Sequence, residues 1–166
     1  MAKIDRTYAM HGFEGDIYIA AAGTTPTPGA AGTIKLEHIR EVTYTWGYGE
    51  SDSQVRKHKG VKTYAKGSLD ISINFTLVNM MIPPETQGGA FTRPPDVERV
   101  LEALRNRHDP ISILMLDKDD GEGPCGDIEI FAGDKAEGDE DLQSWAITAR
   151  PTVEGRGVGW YPDDFT

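Results

Sequence analysis

The sequence predicts a mainly β (α+β) fold, a β-sandwich or barrel of about six or seven strands with one flanking α-helix. Three observations carry that expectation. A ten-residue stretch, Ser68–Leu77, alternates strictly between polar and apolar residues. Several shorter β-rich runs are separated by turns rich in Gly, Pro and Asp. Only one stretch, Val97–Leu104, has helical spacing of its apolar residues. The 166 residues fit one domain with one buried core.

Taken in order, the first strand is expected at Asp16–Ala20 (DIYIA). The following Ala20–Thr33, AAAGTTPTPGAAGT, has the small, Gly- and Pro-rich composition of a loop. Ile34–Trp46 is β-rich. Alternation of Val42, Tyr44 and Trp46 predicts one long strand with an irregularity near Arg40-Glu41. Gly47–Lys62 is polar and basic, with an extended loop expected at 48–62. A connection of that length in a compact domain is usually functional or disordered. Thr63–Val78 follows as a half-buried strand, with Leu69, Ile71, Ile73, Phe75 and Leu77 on one face and Ser68, Asp70, Ser72, Asn74 and Thr76 on the other. The two strands then make an extended hairpin.

Asn79–Pro95 holds two Pro-Pro pairs, which remove donors and block a regular element. Val97, Val100, Leu101 and Leu104 then form the apolar stripe of the helix. Pro95 fits its first turn, Asp96 and Glu98 suit its start, and Arg105, Arg107 and His108 suit its end. Three strands are expected after Pro110: Ile111–Leu116, Asp127–Ala132 and Leu142–Thr152. The last segment, Val153–Thr166, reads as a C-terminal arm. Its Trp160, Tyr161 and Phe165 are too many aromatics for an idle tail and are expected to dock, on this chain or on a neighbour. The chain thus divides into a β domain over 1–152 and an arm over 153–166.

Composition narrows the function. Seventeen Lys and Arg against 27 Asp and Glu leave a net charge of −10, which disfavours binding a phosphate backbone. The charge is uneven. Tyr48–Lys66 holds five cations against two acids, and Asp117–Asp141 holds eleven acids against two lysines. Such segments can be two solvated loops, or can meet head to tail between copies. No apolar run is long enough to span a membrane, and MAKIDRTYAMHG has no secretory core, so synthesis in a cytoplasm is expected. The single Cys125 cannot form an intrachain disulfide.

Motifs that could carry chemistry fail on context. Gly121–Gly126 matches G-x-G-x-x-G, but an alternating strand follows where a dinucleotide site needs a helix, and Glu122 would repel phosphate. A turn between strands is the expected reading. Asp117–Glu122 fits neither register of a calcium loop, because Lys118 falls on a ligand position. His11, His38, His58 and His108 have no ligand spacing. No catalytic residue, metal ligand or cofactor is expected, and the chain reads as a non-enzyme.

The order of features resembles the major tail tube proteins of long-tailed, siphovirus-like bacteriophages. The resemblance rests on GDIYIA, on a long strand ending VTYTW, and on the charged loop before KGSLDISINFTL. It rests further on ERVLEALRNRHDPISILML, on GEGPCGDIEIF and on the final ITARPT. It covers roughly residues 12–152. It implies a subunit that self-assembles into stacked, hexameric rings, forming a hollow tube through which DNA passes without specific binding. It implies tape measure and tail terminator or tip proteins as partners, and residence in the virion tail after assembly in the host cytoplasm. The loop between the second and third strands would reach the neighbouring ring. The expected contact residues are Ser51, Asp52, Arg56, Lys57, Lys59 and Lys62 of that loop, with Trp160, Tyr161 and Phe165 of the arm. Two other readings fit the same pattern: the inner tube subunit of a type VI secretion or other contractile injection system, and a monomeric β-sandwich binding module.

Overall fold

The computed structural model describes residues 15–52, 64–118, 121–137, 143–152 and 155–165. Within them lie eight strands and one helix: β1 (Gly15–Ala21), β2 (Ile34–Lys35), β3 (Ile39–Asp52), β4 (Tyr64–Val78), α1 (Pro95–Arg105), β5 (Ile111–Asp117), β6 (Gly123–Glu137), β7 (Gln143–Pro151) and β8 (Gly159–Tyr161). The mainly β expectation with one flanking helix holds.

All strand pairs are antiparallel, in the order β2-β1-β5-β6-β7-β4-β3, with β8 paired to β6. That order forces the sheet to curl. β2 and β3 sit at its two ends, yet only Leu36–His38 separates them in the chain. Four Cα steps reach at most about 14 Å, so the two edges must approach each other. Backbone bonds fasten the crossing. Leu36 N–H donates to Ile17 O at 2.8 Å on one edge, and Val78 N–H donates to His38 O at 2.9 Å on the other.

The alternation in β4 explains what the curl encloses. Ile71, Ile73, Phe75 and Leu77 are buried together with Ile17 and Ile19 of β1, Ile111, Ile113 and Met115 of β5, Ile128 of β6 and Ile147 of β7. Burying each such side chain contributes about 1.5–3 kcal/mol before entropy is counted. The helix adds Val97, Val100, Leu101 and Ala103 to the same core. Pro95 stands in its first turn, and Arg105 ends it. Arg99 then forks onto Asp109 at 2.7 and 2.8 Å, tying the helix to the turn before β5.

The structure departs from the sequence expectation in four places. Ile34–Trp46 is two strands rather than one, because the N–H groups of Glu37 and His38 donate to the Asp96 carboxylate and leave the ladder. The expected irregularity lies at Glu41, with φ of 51° and a register shift between Arg40 and Thr43. β3 runs on through Tyr48–Asp52, the first residues of the expected loop; cross-strand pairing extends it where no apolar alternation marks it. Gly123–Gly126 belongs to β6, not to a turn. A Cβ at Gly123 would meet Met115 O at 2.0 Å, and one at Gly126 would meet the backbone of Val158 at 2.6 Å. The glycines let neighbouring backbone come close, which a turn reading of G-x-G-x-x-G misses. Finally, the aromatic tail contributes β8.

Candidate assembly surfaces

Among the described residues the longest free edge belongs to β3. Among the described residues this strand pairs with β4 alone, leaving a row of backbone donors and acceptors open on its other side. The outward face of β3, β4 and β7 is uncharged and polar at its centre. Thr148 Oγ1 donates to Asn74 Oδ1 at 2.9 Å, and Asn74 Nδ2 donates to Ser72 Oγ at 3.2 Å, with Thr43 and Thr45 exposed beside them. Small hydroxyl and amide groups that bond one another fill this centre, and the exposed Arg40, opposite Thr76, and Arg150, two residues along β7 from Thr148, flank it.

The register sets the end of the β3–β4 pair and the end of the β6–β7 pair at opposite ends of this sheet. Tyr64 pairs with Asp52 at one end of β4, and Val78 pairs with Ser144 at the other. Residues 53–63, which join β3 to β4, carry Arg56, Lys57, Lys59 and Lys62 and no acid. Residues 138–142, which join β6 to β7, carry Asp139, Glu140 and Asp141 and no cation.

Of the residues singled out from sequence, Arg56, Lys57, Lys59 and Lys62 lie outside the described residues. Ser51 and Asp52 stand in β3, opposite Ala65 and Tyr64. The three aromatics are placed on this chain. Trp160 and Tyr161 lie in β8, opposite Pro124 and Gly123. The Trp160 ring meets Trp46 edge-on, centroids 5.3 Å apart. Phe165 lies beneath the Arg156 guanidinium at 5.4 Å. The structure therefore brings the arm to the base of the β3–β4 hairpin.

Sequence reasoning missed two carboxylates that organise these surfaces. Asp127 is buried in β6. It accepts the Gly23 N–H at 3.1 Å and the Arg156 N–H at 2.6 Å, and the Arg156 guanidinium lies 3.7 Å away. Arg156 reaches on to Thr25 Oγ1 at 2.8 Å and Ser112 Oγ at 2.9 Å. Asp96, buried in the first turn of α1, accepts from Glu37 N, His38 N and His38 Nδ1. Burial opposes its charge. The bond from the His38 ring and those from the His38, Glu37 and Val97 amides outweigh it and hold the carboxyl below its ordinary range. Its place just before a helical stripe was the available signal.

An apolar patch also escaped notice. Met80, Met81, Ile82 and Phe91, all in the connection from β4 to α1, are exposed. The first three line an open cavity of about 610 Å³ with Ile34, Pro94 and Pro95. Cys125 is fully buried, and burial pushes its thiol up to about 11, the opposite of what a nucleophile requires. Among the described residues, no cluster of His, Cys, Asp and Glu could hold a metal ion, and no helix is long and apolar enough to cross a membrane.

No protein-family model and no curated protein sequence matches the chain. Solved structures do match it. The chain is similar to the SPP1 tail tube at a TM-score of 0.53 and 14% identity, over 87% of this chain and 76% of that one. It is also similar to a chain in the tail of an empty gene transfer agent particle, refined helically with C6 symmetry. There the TM-score is 0.51 and identity 13%, over 86% of this chain and 93% of that one. The fold is that of a tail tube protein.

Proposed function

We propose that this chain is a structural, non-enzymatic subunit of a virion tail, assembling with copies of itself into stacked six-membered rings that form a hollow tube for passage of the genome. The observation that carries the proposal is the tail tube fold, matched over 87% of the chain. The C6 symmetry of the gene transfer agent tail supports six subunits per ring.

The surfaces suit that role physically. The free edge of β3 can accept a strand from a neighbour, removing an edge that would otherwise invite aggregation. A head-to-tail contact gives a ring when its rotation closes. Stacking along the strand direction places the basic 53–63 of one ring against the acidic 138–142 of the next. Ser51, Asp52, Arg56, Lys57, Lys59 and Lys62 then form the contact between rings, and the arm residues Trp160, Tyr161 and Phe165 support it from below. With net charge −10, the tube does not hold DNA as it slides. A tape measure protein and tail terminator or tip proteins would set length and ends during assembly in the host cytoplasm.

Sedimentation velocity across a concentration series tests the reading. Species at six subunit masses and at multiples of six are expected. A single monomer boundary at every concentration would contradict it.

A further inference from the structure

The β3–β4 hairpin outruns the rest of the sheet. Its last pair with β7 is Ile73↔Ala149, yet β3 and β4 stay paired out to Asp52↔Tyr64, roughly 30 Å further at strand rise. Among the described residues no other strand pairs with this extension on either side. A two-stranded ribbon alone in water is marginal at best.

Its base, however, is held from one side. Trp46 of β3 meets the edge of Trp160 at 5.3 Å with the rings 86° apart. Trp160 is itself immobilised. Its residue pairs with Pro124 in β6. Its backbone N–H donates to Asp164 Oδ2 at 2.6 Å, and its indole N–H donates to Glu122 Oε2 at 3.2 Å. Asp164 N–H returns a bond to Trp160 O at 2.9 Å. The chain just before is pinned by Arg156 on Asp127, Ser112 and Thr25. A continuous set of contacts therefore runs from the core, through the C-terminal segment, to the root of the hairpin.

We infer that Gly159–Phe165 is a brace that aims the β3–β4 hairpin, with Trp160 as the positioning residue that bears on it. The hairpin's direction then depends on the C-terminal segment and not on its own pairing. Any contact made by the hairpin tip inherits that dependence, whatever the tip contacts.

Hydrogen exchange on the unassembled chain tests this without needing tubes. Trp160→Ala removes an aromatic pair and should speed exchange of Thr45–Gly49 and Ser68–Ile71 about tenfold, leaving the amides of Ile17, Ile113 and Ile147 unchanged. Trp160→Phe keeps a ring and should restore most of the protection. Glu122→Ala, a surface change that frees the indole, should speed the same hairpin amides about threefold; it covers the case in which Trp160→Ala does not fold. Hairpin exchange that stays at the parent rate overturns the inference. So does equal acceleration in the hairpin and the core, because Trp160 would then be one more core residue.

Discussion

Replacing Asp127 by Ala removes one carboxylate and uncouples three parts of the chain. The carboxylate is 1% exposed, so water cannot take over its bonds. The Gly23 N–H after β1 and the Arg156 N–H before β8 both lose their acceptor, and the Arg156 guanidinium loses its counter-charge at 3.7 Å. Bonds to a charged group contribute about 1.5–3 kcal/mol each, so two of them put the cost at about 3–6 kcal/mol. That matches the usual cost of breaking a buried pair. In a chain of this size each kcal/mol moves Tm by about 2–4 °C, so the variant should melt roughly 10 °C lower. Asp127→Asn keeps one acceptor oxygen and should lose about half as much. Thermal unfolding by circular dichroism measures the shift, and hydrogen exchange at Gly23 locates it. If both variants melt within about 2 °C of the parent and Gly23 stays protected, Asp127 does not fasten the arm.

Reversing the charge of the β3–β4 connection, with Arg56, Lys57 and Lys59 each changed to Glu, should abolish ring stacking while each surface change costs under about 0.5 kcal/mol; normal tubes from that protein would sink the charge contact between rings. Asp96 has a folded pKa below its ordinary value of 3.8, so its contribution is complete above that value and disappears as pH falls through the folded pKa. Asp96→Asn should lower the urea midpoint at pH 7 by the equivalent of about 2 kcal/mol, a gap that closes below pH 4; a gap independent of pH would show that the charge is irrelevant. Cys125, buried and with its thiol pushed up to about 11, should react with a thiol reagent at pH 8 only as fast as the protein opens. Immediate labelling of the folded chain would contradict its placement between β5 and β8.

The fold was legible where a single physical signal was strong. Period two in Ser68–Leu77 marked β4 because one face is buried and the other is not. Helical spacing from Val97 to Leu104, with Pro95 ahead of it, marked α1. The signal failed where the cause lies far away in sequence. Nothing near Glu37 and His38 shows that their N–H groups are taken by Asp96, and that capture is what splits the expected strand in two. Gly123 and Gly126 look like turn residues, but their missing Cβ atoms make room for Met115 and Val158. Composition alone marks Trp160 and Phe165 as docking aromatics; their partners, Trp46 and Arg156, come only from the fold. Met80, Met81, Ile82 and Phe91 were hidden because no periodicity marks an irregular segment.

Whether copies of this chain build a hollow tube is decided by electron microscopy of the concentrated, purified protein. Rings and tubes with a stain-filled channel and six subunits in each end-on view are expected. Solid filaments, rings of a different order that never stack, or a field of separate monomers that persists on raising the concentration would contradict that expectation.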